Sequence, residues 1–167
     1  MSTFLRCLNS IKRERTLAWL TPSQRVAMAQ AAQLLHLPGH VNLFGSIGVG
    51  KTFLAWFVAD QLGYLYLPHP TKLTESDRPP PAGIVIDNCS SQRSTHRELL
   101  KELSFCGINR SMLVTRTMLQ DYSHFVHLTL TDEDQIQVRL NVARIGCVLA
   151  TENTWNLWSL INSRDQE

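Results

Sequence analysis

The feature that most constrains this 167-residue chain is a glycine-rich stretch, GSIGVGKT, set between an apolar run and an apolar segment. Glycines let such a loop curl until backbone N–H groups meet an anion, and the positive end of the following helix faces the same point. In the pattern G-x-x-x-x-G-K-[ST], the lysine reaches the β- and γ-phosphates and the hydroxyl ligates Mg²⁺. We therefore expect ATP and magnesium here, on Gly45, Ser46, Ile47, Gly48, Val49, Gly50, Lys51 and Thr52. A chance match is the alternative, but a strand before and a helix after are the context that the motif requires.

Turn residues and hydrophobic periodicity predict strands that alternate with helices. Thr21, Pro22 and Gln24 indicate one helix start, because Thr21 can cap the helix and Gln24 can complete a capping box. Strands are expected at 41–44, 64–67, 84–86, 112–114 and 125–130, helices at 3–19, 21–35, 52–62, 94–106, 131–146 and 153–161, and a proline-rich loop at 68–82. This alternation predicts an α/β fold, a three-layer α/β/α sandwich with a five-stranded, mainly parallel sheet.

An aspartate at the end of a buried strand is the second candidate metal ligand. Asp87 follows Ile84-Val85-Ile86 and would lie at the carboxyl end of the sheet, where ligands collect in parallel α/β folds. It could support magnesium through water, with an ordinary strand-end turn as the alternative. Many ATPases place a glutamate next, whereas this chain has Asn88, which can orient a water molecule but cannot take its proton. We therefore expect weak turnover from a magnesium-dependent ATPase, unless another acidic group substitutes.

A cationic side chain after another predicted strand is the third candidate. Thr115 and Arg116 follow Met112-Leu113-Val114. A positive group at that place would lie beside the γ-phosphate and distinguish ATP from ADP, with a surface arginine as the alternative. The candidate catalytic residues are therefore Lys51, Asp87 and Arg116, and the candidate metal ligands are Thr52 and Asp87.

These pieces, in this order, resemble the ASCE division of P-loop NTPases. Leu113 to Arg116 is similar to the sensor strand of STAND ATPases such as NB-ARC domains, and FVHLTLTDED at 125–134 is similar to the strand and helix start that follow it. The resemblance implies that Lys51 and Thr52 bind phosphate and magnesium, that Asp87 supports magnesium and that Arg116 senses the γ-phosphate. It also implies an additional strand between the P-loop strand and the strand of Asp87. We expect an N-terminal helical extension over 1–38 and a P-loop ATPase domain with C-terminal helices over 39–167.

Some segments of that group have no counterpart here. No winged-helix or later sensor segment precedes Glu167, and no G-L-P-L-like motif occurs. The chain is therefore expected to be a minimal ATPase or one subunit of a split machine. Its first two predicted helices loosely resemble those of AAA+ helicase loaders and transposition ATPases.

Composition limits the partners. The net charge is only +2, and the four cysteines at positions 7, 89, 106 and 147 fit neither a zinc site nor a disulfide framework. Without a long apolar run we expect no membrane partner, and reduced thiols favour a cytoplasmic protein.

Three functions remain open at this stage. The first is a slow regulatory ATPase whose nucleotide state controls assembly with itself or a partner protein. The second is a DNA-linked AAA+-like ATPase that contacts DNA through its basic N-terminus, and the third is a small-molecule kinase. The absence of an N-K-x-D motif disfavours a GTPase. Arg93, Arg97 and Arg110 are arginine-finger candidates, with surface charge as the alternative, and Trp155 and Trp158 suit either core packing or docking.

Overall fold

The computed structural model describes residues 9–14, 16–70 and 80–146 of the chain. The predicted helix at 153–161, most of the proline-rich loop and the first part of the N-terminal helix lie outside these residues. After a helical stretch at 9–13 and a 3-10 helix at Leu17–Trp19, the elements are α1 (Pro22–Leu35), β1 (Gly39–Phe44), α2 (Lys51–Leu62), β2 (Leu65–Leu67), β3 (Ile84–Ile86), α3 (Arg93–Phe105), β4 (Arg110–Thr115), β5 (His124–His127) and α4 (Asp132–Arg144).

The five strands form one sheet in the order β2-β3-β4-β1-β5, and every neighbouring pair is parallel. The predicted α/β class and parallel sheet are therefore confirmed. β4 lies between β1, which leads into the glycine-rich loop, and β3, which leads into Asp87. This is the additional strand that the resemblance implied, and it brings the carboxyl ends of β1, β3 and β4 to one edge of the sheet.

The two sheet faces carry different helices, as alternation along a strand requires. Val85 and Met112 belong to a core that includes residues of α1 and α2, whereas Ile84, Ile86 and Leu113 pack with α3. α1 contributes Ala27, Ala31 and Leu35 to the first of these cores, together with Val41 and Leu43 of β1. Residues from the expected N-terminal extension thus share one core with the sheet. None of the described helices is long and apolar enough to cross a membrane.

Local signals place the helix starts as predicted. Thr21 and Gln24 form a capping box at α1, and Thr131 and Asp134 form another at α4. α2 begins after Gly50, which adopts a left-handed conformation with φ of 90° that glycine tolerates without steric cost.

Two predicted elements differ from the structure by three residues or more. The expected strand at 125–130 ends at His127, because its partner β1 ends at Phe44 and the chain there turns into the glycine-rich loop. The expected single helix over 3–19 breaks within its described part: a turn follows at Glu14 and Thr16 is extended. The break lets Trp19 and Leu20 enter the core, where they are 8% and 0% exposed.

Candidate functional site

The glycine-rich loop connects β1 to α2 at the carboxyl edge of the sheet. A Cβ atom at Gly45 would collide with the backbone carbonyl oxygen of Leu128, so only glycine fits this close approach of two chain segments. Gly48 and Gly50 have φ values of 82° and 90°, a region that side chains disfavour. These glycines shape the loop that leads directly into the start of α2.

Lys51 crosses the loop. Its Nζ atom donates hydrogen bonds to the carbonyl oxygens of Gly45, at 2.6 Å, and Ser46, at 2.7 Å. Burial lowers the pKa of Lys51; the negative charge of Asp87 opposes this shift, and the positive charge of Arg116 adds to it. The ammonium group is therefore held within the loop and close to both other candidate catalytic residues.

Thr52 and Asp87 meet at the end of β3. The Thr52 hydroxyl donates to Oδ2 of Asp87 at 2.7 Å, and the Tyr66 hydroxyl donates to the same oxygen at 3.1 Å. The other carboxylate oxygen of Asp87 accepts the backbone N–H of Asn88 at 2.8 Å. Asp87 is only 2% exposed. The structure thus brings the two predicted metal ligands into direct contact, and their hard oxygen atoms are of the kind that magnesium prefers.

Asn88 directly follows Asp87, at the position where many ATPases have a glutamate. Its backbone has a left-handed φ of 51°, and its side-chain amide donates to the carbonyl oxygen of Pro68 at 2.9 Å. Asparagine tolerates this conformation better than most residues because its short side chain can bond locally. Asn88 therefore ties the end of β3 to the segment that follows β2.

Arg116 lies just beyond β4 and lines the same cavity as Lys51, Thr52 and Asp87. It is exposed, and among the described residues it has no hydrogen-bond or ion-pair partner. The preceding residue, Thr115, is 2% exposed and donates its hydroxyl proton to the carbonyl oxygen of Thr117 at 2.7 Å. The free guanidinium group is thus attached to a fixed backbone at the edge of the cavity.

The cavity, about 470 Å³ in volume, extends from the loop to a wall that the sequence reasoning missed. This wall combines residues 17–24, here called the N-terminal strap, with one face of α4. Trp19, Thr21 and Gln24 of the strap line the cavity together with Val138 and Val142 of α4. The capping box at Thr21 was recognisable in the sequence, but no local signal showed that this helix start lies beside the phosphate loop.

Hydrogen bonds between distant parts of the chain hold the strap in place. Gln24 donates from Nε2 to the carbonyl oxygen of Gly50 at 3.1 Å, which joins the strap to the loop. Asn141, 2% exposed, donates to the carbonyl oxygen of Trp19 at 2.8 Å, and Asp134 accepts the backbone N–H of Ser23 at 2.9 Å. The strap is thereby anchored to both the loop and α4.

The candidate arginine fingers have partners within the chain. Arg93 donates to both carboxylate oxygens of Asp121, at 2.7 and 2.6 Å, and Arg97 lies 3.4 Å from the same carboxylate. Arg110 begins β4, at the opposite end of the strand from the cavity, and donates to the carbonyl oxygen of His36 at 3.3 Å. These contacts favour the alternative of surface charge for all three arginines.

Comparison with known proteins bears on the fold. No protein-family model matches the chain, and no curated protein matches its sequence. Among solved structures, it is similar to AMPPCP-bound DnaA from Aquifex aeolicus, with a TM-score of 0.56 and 13% identity, covering 87% of this chain and 62% of that one. The replication initiator DnaA bound to AMPPCP and single-stranded DNA gives a TM-score of 0.56 and 14% identity, covering 89% of this chain and 63% of that one.

The chain thus spans less than two thirds of these DnaA chains. At such identities the likeness shows the fold alone, a five-stranded parallel sheet with flanking helices that resembles the DnaA structures. The ASCE part of the sequence resemblance agrees with this fold, and the finer likeness to STAND proteins stays a prediction.

Proposed function

We propose that this chain binds ATP with magnesium and is a slow regulatory ATPase. The observation that carries the proposal is the joint placement of Lys51 inside the glycine-rich loop and of the Thr52–Asp87 pair beside it. A lysine, a hydroxyl and a carboxylate at the edge of a parallel sheet are the groups that phosphoryl chemistry requires. In this proposal Gly45 to Thr52 surround the phosphates.

Magnesium fits the oxygen atoms of Thr52 and Asp87. No cluster of three or more histidine, cysteine, aspartate or glutamate side chains suited to a metal occurs in the described part of the chain. A cation here would therefore depend on phosphate oxygens and water for its remaining ligands, as magnesium does in nucleotide sites. When bound, the ion would neutralise charge on the phosphates, and Thr52, whose hydroxyl proton is accepted by Asp87, would offer its oxygen to it.

The apolar residues of the cavity suit the base. Ile11, Trp19, Val138 and Val142 are among the residues that line it. A nucleotide with its phosphates on the loop would place its base against the strap and α4. Apolar surfaces with a few polar groups are typical of such sites.

Weak ATP turnover is expected from the acidic groups that line the cavity. Asp87 is the single carboxylate among the described residues that line the cavity, and it is engaged by Thr52 and Tyr66. Asn88 cannot take a proton from water. We infer that the bound triphosphate persists long enough to act as a signal. Arg116 senses the γ-phosphate in the manner of a STAND-type sensor. The nucleotide state then controls assembly of the chain with itself or with a partner protein in the cytoplasm.

The test compares binding and turnover of ATP, ADP and GTP for the wild type, Lys51→Ala and Asp87→Ala. Lys101→Ala is the matched control, because Lys101 is an exposed lysine on α3 outside the cavity. Lys51→Ala should abolish tight triphosphate binding, Asp87→Ala should remove the magnesium dependence, and Lys101→Ala should behave as wild type. Equal ATP affinity in all four proteins would refute the proposal. Identical size-exclusion profiles with ATP, ADP and no nucleotide would refute the control of assembly.

A DNA-linked ATPase is the second candidate, because one DnaA structure of this fold is bound to single-stranded DNA. Lys12 and Arg13 are exposed, and Lys12 Nζ lies 5.0 Å from the centroid of the Trp56 ring. Binding of single-stranded DNA at low salt that weakens with added salt, and that is lost on replacing Lys12, Arg13 and Arg15, would support this candidate. Absence of binding at low salt would eliminate it.

A further inference from the structure

Asn42 is a fully buried polar residue in the middle of β1. It is 0% exposed, and its neighbours Val41 and Leu43 belong to the apolar core on the opposite face of the sheet. Burial of an amide is unfavourable unless its donors and acceptor find partners. A valine or leucine would serve the packing of a central strand better, so the partners of Asn42 indicate what the amide contributes.

Those partners all lie at the end of β4 and just after it. Nδ2 of Asn42 donates to the carbonyl oxygen of Leu113 at 3.1 Å and to the hydroxyl oxygen of Thr115 at 2.9 Å. Oδ1 accepts the backbone N–H of Leu119 at 2.9 Å. One side chain of the strand that leads into the phosphate loop therefore fixes both sides of Arg116.

Two further contacts support the same segment. The Thr117 hydroxyl donates to the hydroxyl oxygen of Ser91 at 2.9 Å, and the Leu119 side chain is 2% exposed. Arg116 thus sits on a short, anchored turn, and its own side chain reaches the cavity that it shares with Lys51. Asn42 is one bonded step from this turn and does not itself line the cavity.

We propose that Asn42 is a positioning residue that places Arg116 relative to the phosphate loop and so sets the preference for ATP over ADP. This inference rests on the proposed function, since it needs a triphosphate whose γ-phosphate faces Arg116. β1 carries both the phosphate loop and Asn42, so the hydrogen bonds of the amide fix the distance between Arg116 and the loop. Without the amide, the turn loses these bonds and the guanidinium group of Arg116 is no longer held at a fixed position.

The test is the ratio of the ADP to the ATP dissociation constant with magnesium, for the wild type, Arg116→Ala, Asn42→Ala and the double variant. Arg116→Ala should lower the ratio by about tenfold, the loss expected for one charged hydrogen bond. Asn42→Ala should lower it to a similar extent with ADP affinity within about twofold of wild type, and the double variant should be no worse than Arg116→Ala alone. Leu43→Ala, a buried truncation on the same strand, is the matched control and should keep the wild-type ratio.

Thr115→Val is a second variant that keeps β1 intact, and it provides the test if Asn42→Ala does not fold. It removes the hydroxyl that links Asn42 to Thr117 while preserving the shape of the side chain, so it should also lower the ratio. An unchanged ratio in Asn42→Ala, or in Thr115→Val if that is the folded protein, overturns the inference and leaves the proposed function standing. A ratio insensitive to Arg116→Ala overturns it too, and failure of the wild type to bind either nucleotide overturns the proposed function itself.

Discussion

Replacement of Asp134 by alanine should destabilise the protein well beyond the loss of one surface charge. Asp134 is 0% exposed and accepts hydrogen bonds at the starts of two helices. One oxygen accepts the N–H of Ser23 in α1, at 2.9 Å, and the other accepts the N–H and hydroxyl of Thr131 before α4, at 2.8 and 2.9 Å. A net value of about 1 kcal/mol for each bond gives a loss of about 3 kcal/mol in the free energy of unfolding.

The assay is thermal unfolding at pH 7, with Asp132→Ala as the control. Asp132 lies in the first turn of the same helix but is exposed, so its removal should cost about 0.3–1 kcal/mol through the helix dipole. For a chain of this size, about 3 kcal/mol corresponds to a fall of about 6–12 °C in Tm. ATP affinity should fall as well, because the strap that lines the cavity loses one of its hydrogen bonds to α4.

The pH dependence of stability provides a second test of the role of the Asp134 carboxylate. Burial raises the pKa of Asp134, but the hydrogen bonds from Ser23, Thr131 and Thr21 outweigh this effect, and the net pKa lies below its ordinary value of 3.8. The stabilisation is therefore complete above pH 3.8 and disappears as the pH falls through the lowered folded-state pKa. The difference in Tm between wild type and Asp134→Ala should become smaller at acid pH. Equal Tm values for Asp134→Ala and Asp132→Ala at pH 7 would refute the reasoning.

Two further results are expected. Asn88→Glu should raise ATP turnover by about tenfold or more, since it supplies a proton acceptor beside Asp87, whereas Asn88→Gln should not. Equal turnover rates for the two variants would show that residue 88 does not contact the attacking water. Tyr66→Phe should lose stability less steeply than wild type above pH 10 in urea unfolding. Burial and the adjacent Asp87 raise the Tyr66 pKa, so the folded protein keeps a proton that the unfolded chain releases, and rising pH favours unfolding. Parallel curves for wild type and Tyr66→Phe would contradict this account.

The strands, helices and phosphate loop could be predicted because their signals are local. A capping box spans four residues, and the motif from Gly45 to Thr52 carries its own glycines, lysine and hydroxyl. The meeting of Thr52 with Asp87 was also predictable in outline, since both follow strands of one parallel sheet. The end of β5 was misplaced because its extent depends on where β1 stops, which is a property of the pairing.

The contacts of the strap and of Asn42 could not be predicted either, because they join segments that are far apart in the sequence. Ser23 and Asp134 are 111 positions apart, and Asn42 and Leu119 are 77 apart. In the sequence, Asp134 was a favourable charge in the first turn of a helix, and Asn42 was a polar residue in an apolar run. Neither pattern indicates a distant partner.

The sequence by itself determined the order of the elements, the parallel α/β class and the groups offered to a phosphate, because each depends on residues within a few positions of one another. Tertiary structure alone decided which of those groups share a cavity, that an N-terminal strap lines it beside α4, and that one buried amide is hydrogen-bonded to the turn carrying Arg116. Those facts depend on hydrogen bonds and packing between segments that only the folded chain brings together.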